Sequence, residues 1–580
     1  MLTARLRKFL TGSTSKVSTA QVRFWLSLSL TFAAIYSLLA LREAFSSEYV
    51  VQDDARQHVF WMQRFIDPEL FPNDLIADYF QSVAPAGYST LYHLAAFLGI
   101  NPLTFNKFLP LAIGLVTTAY CFGVCLEMLP IPAAGFVAAL LLNQNLWVED
   151  DLASATPRAF VYLLFLAFLY YLLRRSLLPC LVAIALIGLF YPQCIFLSAG
   201  VLILQLVKWQ NGQLRLTQDK RDYRFCFAGL GVIILVMLPF ALTSSEFGPV
   251  ISVAQARQLP EFAPDGRSEF FQESFADFWF SGERSGMFPK SLFTPVTLCT
   301  GLLLPVLLKF PSQFPLGQQV KSSVLVLPQL LLVSVGMFFA AHALLFKLHL
   351  PSRYTSYSFR LIVILASAIA LSLIVDAVLG WALSPTQSPR PQRQFIALGI
   401  TALIGATLIL YPSFIKSFPM TAYEVGEAPQ LYEFFQKQPK DSLIASLAEE
   451  VNNIPTFAQR PILVGREYAI PYHLGYYGQF RQRVIDLIRA QYSPDLADVQ
   501  TFIQKYGVDF WLLDRSAFTA EYLANNDWLH LFQPVTGEAL ARVRQGTLPA
   551  LSSVIENCLV AQTESLVVLE AACLKSSQQE

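Results

Sequence analysis

The sequence predicts a polytopic α-helical membrane protein with about eleven transmembrane helices, followed by a small C-terminal α/β domain. Three observations predict this class. Hydrophobic residues make up 54% of the chain and charged residues only 14%, a far more apolar balance than in an ordinary soluble domain. Apolar runs near the length of a bilayer recur between residues 24 and 410. From residue 411 to residue 580, shorter apolar runs alternate with amphipathic stretches.

The apolar runs predict the spans in order, to within one or two, because several are shorter than the roughly 20 residues of a straight span. They are Phe24–Leu41, Phe108–Leu129, Ile131–Leu146, Ala159–Leu173, Leu177–Tyr191, Cys194–Val207, Phe225–Leu242, Leu292–Leu308, Val324–Phe346, Leu361–Leu379 and Phe395–Leu410. The first run precedes a long polar loop rather than a small-residue cleavage site, which favours a retained anchor over a signal peptide.

Lys and Arg predict the orientation, because short cytoplasmic loops are rich in both residues. Five basic clusters fall on one side of the membrane when residues 1–23 are cytoplasmic. They are Arg5, Arg7, Lys8, Lys16 and Arg23; Arg174 and Arg175; Lys208, Arg215, Lys220, Arg221 and Arg224; Lys309 and Lys321; and Arg390 and Arg393. An odd number of spans across 24–410 then places 411–580 outside. We therefore predict an integral protein of the plasma (inner) membrane.

The outer face carries most of the unusual polar sequence, in loops near 42–106, 147–158, 243–291 and 347–360. In the first loop, Asp53 and Asp54 follow the first span, and helical spacing places His58 one turn after Asp54. One interpretation is that Asp54 only caps a short interfacial helix while Asp53 is solvated. The functional interpretation is that crowding by apolar residues and a second carboxylate raises the pKa of one acid, which then acts as a general base.

The second outer loop combines acids with an arginine at the edge of a span. Its acids are Glu149, Asp150 and Asp151. Their oxygens are candidate ligands for Mg²⁺ or Mn²⁺. Thr156 and Pro157 are a common helix start. The fork of Arg158 matches a phosphate, and we expect it to bind the phosphate of a lipid.

The third and fourth outer loops carry further candidates. The third, 243–291, is long, aromatic and mixed in charge, which is typical of a lid or a groove lining. The fourth contains Pro351-Ser352-Arg353-Tyr354, with Tyr357 and Arg360 shortly after it. Arg353 and Arg360 could be simple snorkelling anchors. Alternatively, Arg353, with Tyr354 beside it, binds a lipid phosphate together with Arg158 and His58.

This layout resembles the GT-C superfamily of membrane glycosyltransferases, which includes protein O-mannosyltransferases, aminoarabinose transferases and the catalytic subunit of oligosaccharyltransferase. The resemblance rests on the acids of the first two outer loops, the Pro-x-Arg-Tyr element and the C-terminal outer domain. It implies transfer of a sugar from a polyprenyl-phosphate carrier, with inversion, and Asp53 or Asp54 as the base. Metal dependence varies within the superfamily. No Trp-Trp pair occurs here, so the Trp-Trp-Asp-Tyr-Gly element of the oligosaccharyltransferases is missing, and transfer to asparagine is not expected.

The tail predicts an independent core. Strand-like runs at 442–447, 461–464 and 509–513 alternate with helical stretches at 430–437, 495–506 and 521–532. Arg466 to His473 follow a strand end, where open α/β sheets often bind ligands. Cys558 and Cys573 both lie in this tail, and an oxidising compartment would permit a disulfide between them.

Several classes are disfavoured. Net charge is zero, so no global field attracts nucleic acid. The sequence lacks a phosphate-binding Gly-rich loop, His-Glu-x-x-His and Gly-x-Ser-x-Gly. The expected partners are a polyprenyl-phosphate-linked sugar, membrane lipid, and an acceptor glycan, lipid or protein. The alternatives are a secondary transporter, which would need ionisable groups near the midplane, and a non-catalytic scaffold of envelope-glycan assembly.

Overall fold

The computed structural model describes residues 2–210, 212–242, 245–264, 266–384 and 391–577. Up to residue 410 these residues are mainly helical, with a largely irregular third outer loop. The helices and strands of this part are α1 Leu2–Thr11, α2 Thr19–Ala44, β1 Val50–Gln52, α3 Asp53–His58, α4 Leu75–Val83, α5 Ala86–Phe97, α6 Pro102–Met128, α7 Pro132–Leu146, α8 Phe160–Leu173, α9 Leu177–Phe190, α10 Ile195–Gln205, β2 Val207–Gln210, β3 Gln213–Leu216, α11 Lys220–Leu242, α12 Val253–Ala256, α13 Leu304–Leu307, α14 Val326–Ala343, α15 Arg353–Ala382 and α16 Pro391–Leu410.

The membrane prediction is confirmed at the level of an integral helical protein. Six helical segments in the described ranges are long and apolar enough to cross a membrane. They are Thr19–Ala44, Pro102–Met128, Lys220–Leu242, Ser322–Ala343, Arg353–Ala382 and Pro391–Phe414. The other predicted runs also fall on helical residues, but those helices are shorter. Arg390 of the fifth basic cluster lies outside the described residues.

Helix α7 lies at the centre of the bundle, with almost every side chain buried. Three consecutive amides near its end hold neighbouring segments. Asn143 donates to Thr118 Oγ1 at 2.8 Å, Gln144 donates to a carbonyl of α16, and Asn145 donates to the carbonyl of Thr294 at 2.7 Å. Buried amides with such partners fix the register of the helices. The end of α7 therefore delivers the following acidic loop to a defined place.

Basic residues from separate clusters converge at one end of the bundle. Arg7 pairs with Asp376 at 2.8 Å, and Lys321 and Arg174 both approach Glu127. At the other end, β1 pairs in antiparallel register with a strand of the tail, Val50 opposite Val425. The first loop and the tail therefore lie on the same side of the bundle.

The tail contains a four-stranded mixed sheet covered by helices. Its elements are β4 Tyr423–Val425, α17 Pro429–Gln436, β5 Ile444–Ser446, α18 Ile454–Phe457, α19 Leu474–Gln491, α20 Leu496–Tyr506, β6 Phe510–Asp514, α21 Ala520–Ala524, α22 Asp527–His530, α23 Val535–Arg544, α24 Ala550–Cys558, β7 Leu559–Gln562, β8 Leu566–Glu570 and α25 Ala571–Ser576. The strand order is β5-β6-β8-β7, with β5 and β6 parallel. Cys558 and Cys573 form a disulfide. Residues 461–464 form only an isolated bridge to β5.

Candidate active site

Four elements bring the predicted site residues to one end of the bundle. Helix α3 begins at Asp53, the loop after α7 carries the acidic triple, α8 is preceded by Arg158, and α15 begins at Arg353. Asp54 does not cap α3, because Gln52 occupies the N-cap position without a side-chain bond. The predicted fourth loop ends earlier than expected, since residues 353–360 already belong to α15. Arg353 and Arg360 are therefore oriented by the helix α15 and not by a loop.

Arg158 joins three carboxylates from two loops. Its Nη2 atom lies 2.7 Å from Oδ2 of Asp54 and 2.6 Å from Oδ2 of Asp150. Its Nη1 atom lies 3.2 Å from Oδ1 of Asp151. Gln52, the last residue of β1, also donates to Asp150 at 3.2 Å. The guanidinium expected to bind a phosphate is thus already surrounded by acids.

Arg360 is a buried ion-pair residue rather than a snorkelling anchor. It is 3% exposed and contacts Oδ2 of Asp151 at 3.3 Å. It also pairs closely with Glu149 and donates to the hydroxyl of Tyr162 at 3.0 Å. Burial of this charge is tolerated because its donors meet carboxylates. Two arginines therefore share the negative charge of the acidic triple and Asp54.

The acidic triple does not match the expected divalent-cation site. Each carboxylate of Glu149, Asp150 and Asp151 accepts from an arginine. Across the described ranges, no three His, Cys, Asp or Glu side chains are grouped so that they could hold a metal ion. A cation there would have to displace a guanidinium from each of the three acids. We therefore assign no chemistry to Mg²⁺ or Mn²⁺ at this position.

Arg353 contrasts with the other two arginines. Its half-buried side chain makes no ion pair or side-chain hydrogen bond with any described residue, and it lines a cavity of about 1,330 Å³. One turn later, Tyr357 lines the same cavity, and its buried hydroxyl has no hydrogen-bond partner in the described chain. The rings of Tyr162 and Tyr191 pack edge-on against Tyr357. A cation and a hydroxyl are therefore left available to a ligand.

Tyr354 and His58 lie away from this cavity wall. Tyr354 is fully buried, and its hydroxyl donates to the carbonyl of Leu348 at 2.8 Å. His58 lies on α3 one turn after Asp54, as expected, and packs edge-on against Phe80. Burial lowers the pKa of His58. The charge of Asp54 acts to raise this pKa, and the charge of Arg158 lowers it further. The structure thus brings Tyr357, and not Tyr354, to Arg353.

The cavity lining combines charged and apolar residues. The charged lining includes Glu149, Asp150, Asp151, Arg158, Arg353 and Arg360. The second half of the third loop, from Ser281 to Ser291, lines another wall, consistent with the expected groove-lining role. The apolar lining includes Leu39 at the end of α2, Phe414, Ile415 and Phe418. A ligand with a charged head and an apolar chain suits such a cavity.

Asp54 and Asp150 differ in acidity although they share one guanidinium nitrogen. Burial acts to raise the pKa of Asp54, but the charge of Arg158 and of more distant cations holds that pKa below its usual value. The expectation of a raised pKa is therefore wrong for Asp54. Burial raises the pKa of Asp150 to about 6, against the opposing charge of Arg158. The acid with the raised pKa lies in the cavity wall, while Asp54 adjoins that wall through Arg158.

A second network of ion pairs, which the sequence did not predict, lies beside α3. Asp53 pairs closely with Arg56 and is partly exposed. Glu467 of the tail pairs with Arg267 of the third loop at 2.8 Å, accepts from Gln57, and approaches Arg56 at 3.7 Å. The mixed charge of the third loop was a signal for such contacts, but the partners of Arg267 and of α3 in the tail lie 200 residues or more away in the chain. This network holds α3 through contacts other than the pair of Asp54 with Arg158.

Known structures share this arrangement of helices, although no protein-family model and no curated protein matches the sequence. The archaeal oligosaccharyltransferase AglB from Archaeoglobus fulgidus, solved with an inhibitory peptide and a dolichol-phosphate, aligns with a TM-score of 0.52 and 12% identity. The alignment covers 89% of this chain and 72% of AglB. The Archaeoglobus fulgidus oligosaccharyltransferase in the apo form aligns with a TM-score of 0.52 and 13% identity, covering 86% of this chain and 71% of its own.

ArnT from Cupriavidus metallidurans, in the apo state, aligns over 97% of this chain and 100% of its own length, with 13% identity and a TM-score of 0.44. At such identities a likeness concerns the fold, and the AglB alignments carry it. The resemblance in layout expected from the sequence is thus confirmed at the level of the fold, which the chain shares with the Archaeoglobus fulgidus oligosaccharyltransferase structures.

Proposed function

We propose that this protein is a membrane glycosyltransferase that moves a sugar from a polyprenyl-phosphate-linked donor to an acceptor on the extracytoplasmic face. One observation carries the proposal: the side chains of Arg353 and Tyr357 line a large cavity without an ion pair or hydrogen bond to another described residue, next to a set of carboxylates. A guanidinium and a hydroxyl are suitable donors to a phosphate. The carboxylates are suitable acceptors for a hydroxyl proton.

The donor class is supported by the shape of the cavity and by the shared fold. The AglB structure with this fold holds a dolichol-phosphate. In the present chain, the apolar side chains of Leu39, Phe414 and Phe418 line the cavity near the ends of α2 and α16. A polyprenyl chain would lie along that side, with its phosphate at Arg353.

The proposed reaction is a single displacement. The acceptor hydroxyl oxygen forms a bond to the anomeric carbon while the bond from that carbon to the phosphate oxygen breaks. The phosphate leaves with the electron pair and is stabilised by Arg353, the hydroxyl proton passes to a carboxylate, and the anomeric configuration inverts. Asp54 and Asp150, bridged by Arg158, are the proposed carboxylate pair. Asp150 lies nearer the cavity, and Asp54 remains ionised beside it.

The proposed orientation places residues 1–23 in the cytoplasm and residues 411–580 outside, with eleven spans between them. The pairing of β1 with β4 supports a common side for the first loop and the tail. The contacts of Arg7 and Lys321 support a common side for the basic clusters. The disulfide between Cys558 and Cys573 favours an oxidising compartment for the tail.

The direct test is sugar transfer by the purified protein in lipid nanodiscs, with a panel of radiolabelled polyprenyl-phosphate sugars. We expect turnover with one donor, and its loss in Arg353→Ala, Asp54→Asn and Asp150→Asn. Glu564→Gln serves as a matched control, because Glu564 lies exposed in the turn between β7 and β8. Absence of turnover with every donor, in protein shown to be folded, would contradict the proposal and favour a transporter or a scaffold.

A further inference from the structure

A second cavity, of about 510 Å³, lies in the tail, away from the candidate active site. The parallel strands β5 and β6 end at Ser446 and Asp514, and the residues that follow them, Glu449 and Ser516, line this cavity. The carboxyl ends of parallel strands are where open α/β sheets bind ligands. The position is therefore a favourable one for a binding site.

The lining of this tail cavity combines aromatic rings with charged and amide groups. Arg466 and Glu521 both line it, yet neither makes an ion pair or a side-chain hydrogen bond with another described residue. Asn525 contributes an exposed amide. Trp528 forms part of the wall, is only 5% exposed, and its indole N–H has no partner within the described part of the chain. Donors and acceptors are thus both left over.

We propose that the tail cavity binds a sugar residue. Sugars present adjacent hydroxyls, each a donor and an acceptor, together with flat C–H faces that pack on aromatic rings. An anion would meet Glu449, Glu521 and Asp527 with Arg466 as the one cation in the wall. A purely apolar ligand would leave these charges desolvated and unpaired. A divalent cation is unsupported, because the described residues hold no group of three suitable ligands.

The tail cavity connects to the candidate active site through hydrogen bonds. Glu449 accepts from the side chain of Asn452 at 3.0 Å, and Asn452 accepts from the backbone N–H of Glu467 at 3.0 Å. Glu467 in turn contacts Gln57 on α3. The assignment of the bound sugar rests on the proposed function. The sugar bound in the tail cavity is part of the acceptor, and the acceptor is therefore a glycan. The cavity holds that glycan while its end reaches the acids near α3.

The test is saturation-transfer-difference NMR on the full chain in nanodiscs with a panel of methyl pyranosides and methyl furanosides. We expect signal from at least one glycoside, reduced at least fivefold in Arg466→Ala and in Glu521→Gln. Both substituted side chains are exposed, so the fold should tolerate the changes. Arg544→Ala and Glu564→Gln are matched controls on exposed positions outside the cavity. No signal above empty nanodiscs, or signal equal in all variants, would overturn the proposal.

A second measurement separates the acceptor from the donor and does not depend on turnover. Binding of polyprenyl phosphate, with and without its sugar, is compared between wild type and Glu521→Gln. If Glu521→Gln binds each of the two lipids as tightly as the wild type does, the result supports the assignment of the bound sugar to the acceptor. Selective weakening of the sugar-bearing lipid would overturn it, because the tail cavity would then hold the donor sugar. The two proposals can fail separately. If Arg466→Ala loses the glycoside signal while neither the wild type nor any variant shows turnover, sugar binding in the tail cavity is upheld and the proposed transfer is contradicted.

Discussion

Tyr357 follows Arg353 by one helical turn on α15, and both side chains line the same cavity without a hydrogen-bond partner in the described chain. Arg158 and Arg360, which line the same cavity, are engaged by carboxylates. This division separates two arginines that hold the acids in place from Arg353, which remains available to a ligand.

Arg353→Ala should weaken binding of polyprenyl phosphate by roughly 10- to 150-fold, because a hydrogen bond to a charged group contributes about 1.5–3 kcal/mol. Lys290→Ala is a suitable control, since Lys290 also lines the cavity but is largely exposed and only approaches Glu283. Affinity would be measured by native mass spectrometry or fluorescence titration in nanodiscs. Equal losses in the two variants would indicate a diffuse electrostatic effect instead of a specific contact.

Tyr357→Phe should weaken the same binding by roughly 10-fold or more, because its hydroxyl would donate to a charged phosphate, a bond of about 1.5–3 kcal/mol. Its thermal stability should equal or slightly exceed that of the wild type, because the hydroxyl has no partner in the unliganded protein. Tyr354→Phe is the matched comparison. It should lose stability, since its hydroxyl donates to Leu348, but should keep its affinity for the lipid. The reverse pattern would contradict our assignment of Tyr357.

Arg158→Gln should destabilise the protein by about 3–5 kcal/mol, because it leaves three neighbouring carboxylates without their shared cation. Adding Asp150→Asn should recover part of this loss by removing one of the negative charges. The measurement is a double-mutant cycle on chemical denaturation, or on thermal unfolding if denaturation is irreversible. Additive effects of the two changes would show that Arg158 and Asp150 do not interact energetically.

The rate of transfer should fall as pH drops below about 6, because Asp150 must be ionised to accept a proton and its pKa is raised to about 6. The pH profile of kcat/KM checks this, with Asp67→Asn as a control at a partly exposed acid. The stability contributions have opposite signs. The contribution of Asp150 to the free energy of unfolding is present below about pH 4 and is lost as pH rises through 6, because its pKa is raised in the folded protein. The contribution of Asp54 is lost as pH falls through the pKa of the folded protein, because that pKa is lowered. A profile flat from pH 5 to 8 would contradict the role of Asp150.

Chelation should leave transfer unchanged, because Arg158 and Arg360 already occupy the carboxylates that a divalent ion would need. Turnover would be compared with and without EDTA, followed by addition of Mg²⁺ or Mn²⁺. Lipid binding measured in the same samples controls for general damage. Restoration of lost activity by one of these ions would show that a metal displaces the arginines.

The disulfide predicts a labelling pattern. In Cys299→Ser protein, a membrane-impermeant maleimide should label Cys558 and Cys573 only after reduction, and only from the outer face of oriented vesicles. Cys299 is removed because it is exposed, whereas the other free cysteines are buried. Labelling without reduction would contradict the disulfide, and labelling only from the inner face would contradict the proposed orientation.

The fold was largely predictable because membrane-spanning helices can be recognised in a sequence by their length and apolar composition. The apolar run Phe108–Leu129, which lies on α6 except for its last residue, is an example. The site was less so. Asp53, Asp54 and Arg353 could be selected as polar residues at the ends of apolar runs, and they do lie at one end of the bundle. The partners could not, because Arg158 meets Asp54 and Arg360 meets Glu149 only through tertiary packing. Because α15 begins at Arg353, Tyr357 lies one turn after Arg353 on the same face and lines the cavity, whereas the adjacent Tyr354 does not.

The pairing of Val50 with Val425 imposes an order of assembly. Strand β1 and the acids beside it leave the ribosome early, whereas their partner strand is made only after the last span, roughly tens of seconds later at 5–20 residues per second. Throughout that interval α3 lacks the backbone bond between Asp53 and Ala422. The nascent protein therefore cannot hold its acids in working position until the whole membrane region has been inserted, so unfinished chains in the bilayer should be inert toward donor lipid.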